Sequence, residues 1–138
     1  MFNVLSELNW IGIIAATVAL AVVGGLWFTV FFAKAYALAL GRENQPQSKP
    51  GLLFILGPLV CSLINVVASA ILIRSLKIET LGDGLIFGAI VGFGFLTATT
   101  VNTAINPNMP RPLFYGLISG SYFFVSGLIV SAILVALK

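Results

Sequence analysis

Four stretches of this chain, each of about twenty residues or more, consist almost wholly of apolar side chains, and that leaves few choices of structure. Hydrocarbon holds no water to satisfy backbone N–H and C=O groups. A run of this length must therefore satisfy them internally, as a helix of about 20 residues crossing a core of about 30 Å. The runs extend over residues 10–32, 51–73, 83–105 and 113–137. The breaks at 41–50, 74–82 and 106–112 hold the charges, prolines and asparagines that helix ends and turns use. Residues 1–138 thus read as a single transmembrane domain, an all-α integral membrane four-helix bundle.

Composition supports this. Charged residues make up 8% of the chain and hydrophobic ones 59%, against roughly 25% charged in a soluble domain. The net charge of +3 is spread over so few residues that it bears on membrane orientation, not on nucleic acid. The absence of His excludes His-ligated haem, His proton shuttles and nearly all His-containing metal sites. Cys61 is the one cysteine, so neither an intrachain disulfide nor a Cys-x-x-Cys pair can form. No cofactor and no metal are expected.

The first run remains apolar as far as Leu40. That makes 31 residues from Trp10, or ~46 Å of helix, too long for one perpendicular span. Trp10 and Trp27 are spaced to approach the two interfaces, with Phe28, Phe31, Phe32 and Tyr36 as an aromatic belt. The span is expected to end near Phe32, followed by an interfacial helix or tilted extension over 33–40. A cleaved signal peptide, suggested by Ala37-Leu38-Ala39, is disfavoured: no positive charge precedes Trp10, and the apolar stretch far exceeds a signal core.

Lys34, Arg42, Lys49 and Arg111 fall on one side of the four-span arrangement, and Arg74, Lys77 and Lys138 on the other. The first helix usually decides orientation, and its basic residues follow it. This places the Arg42 loop in the cytoplasm and both termini outside.

The chain also carries an internal similarity. A shift of 62 lays Lys49-Pro50 on Arg111-Pro112 and Ser69-Ala70-Ile71-Leu72-Ile73 on Ser131-Ala132-Ile133-Leu134-Val135. A shift of 68 lays Ala21-Val22-Val23-Gly24 on Ala89-Ile90-Val91-Gly92, and Thr29 on Thr97. Chance matches are easy in apolar alphabets. Two tandem helical hairpins would be related by a pseudo-twofold axis along the membrane normal.

Within lipid, helices are held by close van der Waals contact, which small residues four apart permit. Gly84, Gly88 and Gly92 form such a ridge on the third run, and Gly116 and Gly120 on the fourth. These five are expected to be helix-packing residues. Pro58 removes a backbone bond inside the second run and is expected to kink it.

Two polar stripes stand out. Thr99, Asn102, Thr103 and Asn106 line one face at the end of the third run, and Cys61, Asn65 and Ser69 one face of the second. Asn65 lies deepest. An unpaired amide there would cost several kcal/mol, so it needs a partner. The simpler reading makes these residues interhelical bridges. The sharper one places Asn65, Ser69, Thr99, Asn102 and Thr103 around a cleft for a small ligand or lipid between the second and third spans. Residues 106–112 would form a rigid turn at its mouth, with Arg111 in water.

Gly92-Phe93, Thr97, Asn102, Arg111-Pro112, Phe114, Gly120-Ser121-Tyr122 and Ser131-Ala132-Ile133-Leu134 form a recognisable series. Asn9-Trp10, Gly24-Gly25-Leu26-Trp27-Phe28 and Lys34 extend it to the start of the chain. In these features the chain resembles the small bacterial membrane proteins grouped as domain of unknown function seventeen sixty-one. It departs from their pattern in lacking a terminal Trp and in the Ser121 between Gly120 and Tyr122. The resemblance implies a four-span protein of the bacterial inner membrane and transfers no functional residue.

Catalysis is not expected, because Ser, Thr, Tyr and one Cys have no evident base beside them. Proton coupling is not expected either, since Glu7, Glu43, Glu79 and Asp83 all lie at the edges of the apolar runs or between them. The reading that remains is a protein acting by self-association or as an accessory subunit, its partners being membrane lipids and a second copy or another membrane protein. The alternative is a carrier or channel for a small ligand or lipid, not coupled to protons.

Overall fold

The computed structural model describes residues 1–46 and 48–138. Among them are five helices: α1 (Trp10–Phe31), α2 (Ala33–Ala39), α3 (Leu52–Ser75), α4 (Leu81–Ala104) and α5 (Pro112–Ala136). A single 3-10 turn, Leu5–Glu7, precedes α1. The described residues contain no strand. Helices α1, α3, α4 and α5 are long and apolar enough to cross a membrane.

Local chemistry sets the helix ends. The Asn9 side chain caps α1 by accepting from the N–H groups of Ile11 and Gly12 at 3.0 and 3.3 Å. Helix α4 starts at Leu81 because Thr80 caps it, accepting from the Asp83 N–H at 3.1 Å. Asp83 therefore lies in the first turn, where its negative charge complements the positive end of the helix dipole. Pro112 opens α5 where its missing N–H costs nothing. The first apolar run breaks at Phe32, with φ −121° and ψ 21°, after five π-helical residues, Trp27–Phe31. The remainder becomes the separate helix α2, closed off two residues beyond Ala39 by Gly41 with φ 69°.

Helix α5 is the shared centre. More than half of its most apolar stretch is buried, against 28% for α1, 17% for α4 and 11% for α3. It packs against α1, α2, α3 and α4. Helix α3 also packs on α1, whereas no comparable interface joins α3 to α4 or α1 to α4. A twofold exchanging the two hairpins would turn the α1–α5 interface into an α4–α3 interface, so the packing does not express the expected pseudo-symmetry. A trace of similarity persists in π-helical segments interrupting both α1 and α4, at Trp27–Phe31 and Ile90–Thr97.

The glycine ridges explain why α4 and α5 lie so close. A Cβ on Gly88 would strike Gly127 O and the Ser131 hydroxyl. One on Gly92 would lie 2.9 Å from Phe124 O, and one on Gly84 2.9 Å from a Val135 methyl. Gly116 and Gly120 face Val101 and Thr97. The apolar core lies beside this seam, where Ile13, Ala16 and Leu20 of α1 meet Val66, Ala70 and Ile73 of α3 and Val130 and Leu134 of α5.

These contacts separate two glycines by chemistry. Gly88→Ala should destabilise the protein by about 1–3 kcal/mol through overpacking. Gly25→Ala, where an added Cβ meets nothing within 4 Å, should be neutral or stabilising by up to about 1 kcal/mol. Thermal unfolding in a mild detergent measures both, and equal effects at the two sites would contradict the packing described.

Candidate functional site: the α5 seam and two concave surfaces

The two polar stripes do not meet across a packed interface, because α3 packs on α1 and α5 while α4 packs on α5. Ser69 is buried on the packed face of α3. Asn65, one turn earlier, is partly buried, and its side chain has no hydrogen-bond partner among the described residues. Thr99, Asn102 and Thr103 lie on the exposed side of α4, near its end. Beyond them, Asn106 organises the turn, donating to Thr103 O at 2.8 Å and accepting from the Asn108 N–H at 2.9 Å. Arg111 is exposed, as expected of a residue in water, and it also donates to Leu38 O and sits 3.6 Å from Glu43, fastening the end of α2 to the start of α5.

Cross-helix hydrogen bonds come from other residues. Trp27 Nε1 donates to Ile118 O at 3.0 Å, Thr97 Oγ1 to Gly120 O at 2.7 Å, and the Tyr122 hydroxyl to Leu20 O at 3.2 Å. All three involve the same turn of α5, and Trp27 and Thr97 both belong to π-helical segments. Sequence reasoning missed them. It read Trp27 as an interfacial anchor, and nothing in a lone Thr or Tyr announces a carbonyl on another helix. Trp27 and Phe28 turn inward, the Phe28 ring lying 5.2 Å from that of Tyr122 and 4.8 Å from that of Tyr36, while Phe31 and Phe32 remain exposed. Burial and the neighbouring Tyr115 push the Tyr36 phenol up to about 12, so it is neutral throughout the physiological range.

Two concave surfaces flank this seam. One, of about 880 Å3, is an apolar groove between α4 and the first half of α5. Thr97, Gly116 and Gly120 are among its walls, and the Phe93 and Phe124 rings lie 6.0 Å apart beside it. The other, of about 490 Å3, is a cup at the opposite end of α5, where α1 begins and α3 ends. Its charged residues are Glu7, Arg74, Lys77, Glu79 and Lys138. Arg74 Nε donates to Glu7 Oε2 at 3.0 Å, with both side chains about half exposed, and Lys138 Nζ donates to Glu79 O at 2.9 Å. The Asn9 amide joins the start of α1 to Leu137 O at the end of α5. Among the described residues no cluster of three or more potential metal ligands occurs.

Tyr122→Phe keeps the ring and removes the donor, so it should cost about 0.6–2 kcal/mol, and Trp27→Phe, which also exchanges the indole for a smaller ring, should cost at least as much. Chemical unfolding in detergent measures the loss. Two variants as stable as the parent would show that the carbonyl bonds do not fasten α1 to α5.

The matching family model is described as a protein of unknown function (DUF1761), and it covers residues 11–135. No curated protein and no solved structure matches the chain. The matched segment takes in the four long helices except Trp10 and Ala136, the α5 seam and most of both concave surfaces. The chain belongs to the DUF1761 family.

Proposed function

We propose that this protein works in the bacterial inner membrane by self-association, with no catalytic chemistry of its own, the Arg42 loop lying in the cytoplasm. One observation carries the reading. No residue from Leu52 to Ile64 is buried, so the first half of α3 leaves the other helices, and at the point where it departs stands Asn65 with its amide unpaired. An exposed Leu or Phe is at ease in lipid. An amide in hydrocarbon is not, and the cost falls away only when a partner supplies both an acceptor and a donor. A second copy does so without further design, since Asn carries both groups and two can pair about a twofold axis. Gly57, on the same half-helix, gives close approach to a neighbouring backbone, an added Cβ there meeting only a Leu53 methyl at 3.9 Å.

A second reading, handling of lipid, is favoured by the apolar groove between α4 and α5, whose volume of about 880 Å3 and apolar walls suit an acyl chain. The polar stripes contribute less to it, since Thr99, Asn102 and Thr103 lie apart from Asn65 and Ser69.

Native mass spectrometry from mild detergent, with photobleaching step counts in nanodiscs, tests self-association. The parent and Asn65→Gln should be dimers, and Asn65→Leu should associate about tenfold more weakly, as the loss of about 1.4 kcal/mol in hydrogen bonding requires. A parent that is monomeric in nanodiscs, or an Asn65→Leu variant that dimerises as well as the parent, would overturn the proposal.

A further inference from the structure

Helix α3 ends in a left-handed cap. The Ile78 N–H donates to Ile73 O at 3.0 Å and the Lys77 N–H to Arg74 O at 3.2 Å, and Lys77 lies between at φ 54°. Helix α2 closes with the same pair of bonds, Arg42 to Ala37 O at 2.8 Å and Gly41 to Leu38 O at 3.1 Å, but there the left-handed residue is Gly41. Glycine adopts that conformation freely and lysine does so at a cost. Lys77 is the one non-glycine at positive φ among the described residues. Strain of this kind, held by surrounding structure, points to a use for the side chain.

That side chain stands on the rim of the cup. Its ammonium has no hydrogen bond or ion pair among the described residues, and Arg74 beside it spends only Nε on Glu7. The guanidinium fork and the free ammonium together suit the oxygens of a phosphate. Three cationic side chains, Arg74, Lys77 and Lys138, and two carboxylate side chains, Glu7 and Glu79, line the cup. Below the rim the walls become apolar, with Leu8, Ala70, Ile73 and Leu134. A cup charged above and apolar below is suited to a headgroup with the start of a chain attached.

We infer that the cup formed by the start of α1 and the ends of α3 and α5 binds a phosphate-bearing amphiphile, with Lys77 and Arg74 holding the phosphate. It lies at the other end of α5 from the groove between α4 and α5, and it does not depend on self-association.

Lys77→Gly tests this without endangering the fold, because glycine is the favoured residue at a left-handed cap. Purified parent and variant are unfolded thermally in a maltoside detergent with dihexanoyl phosphatidylglycerol, with sodium phosphate, or with sodium chloride at matched ionic strength. The lipid should raise the parent's Tm over chloride, and the variant should start a few degrees higher yet need about fivefold more lipid for the same rise, the share of one lysine near an anionic headgroup. A response to the lipid alone identifies a headgroup site, and an equal response to inorganic phosphate a site for the free anion. No rise over chloride with either, or an undiminished response in Lys77→Gly, would overturn the inference.

Discussion

The passage of Gly88 and Gly92 across Gly127 brings two backbones together with no side chain between them, and the remainder of the molecule is arranged around that seam. Lipid tails are as apolar as leucine, so burial of apolar surface gives little reason for helices to associate in a bilayer; contact distance and hydrogen bonding must do it. Each glycine removed from the α4–α5 interface would push a helix outward, and with it the groove wall that both helices form. The Thr97 bond to Gly120 O depends on the same approach, since a Cβ on Gly120 would lie 2.9 Å from the Thr97 methyl.

On its other side α5 is fastened by aromatic donors. Trp27 and Tyr122 each reach a main-chain carbonyl on the opposite helix, and their rings, 6.2 Å apart, fill the space that a glycine or serine leaves. Carbonyls in a regular helix have a second lone pair free, so these bonds add to the helical ladder without breaking it. Ser119 and Ser126 are buried on α5, where their small size lets neighbouring helices come close. The same logic isolates α3. Its second half presents Val66, Ser69, Ala70 and Ile73 to α1 and α5, and its first half carries large side chains that remain exposed.

The helical class was legible because hydrocarbon allows so few alternatives: four long apolar runs had to be helices. Small residues four apart also announced where backbones could approach. The order of packing was not legible, since every run has the same alphabet and a ridge does not name its partner. The polar groups misled for a related reason. Asn and Thr attract notice at membrane depth, yet away from the helix ends the groups that bond from one helix to another are an indole, a phenol and one threonine, whose acceptors are carbonyls present in every residue. Lys77 looked like an ordinary loop charge, because backbone conformation is not written in the identity of a residue that rarely adopts it.

Helix α5 is the common partner of α1 and α4, and paired cysteines in a Cys61→Ser background test that most directly. The Cβ positions are 3.5 Å apart for Gly84 with Val135 and 3.6 Å for Gly12 with Leu137, within or at the edge of the range that a disulfide spans. Gly84→Cys with Val135→Cys, and Gly12→Cys with Leu137→Cys, should each form an intrachain disulfide on mild oxidation in native membranes. A pair joining Gly84→Cys to Asn65→Cys should not. Efficient cross-linking of that last pair, with none at the two α5 seams, would contradict the arrangement.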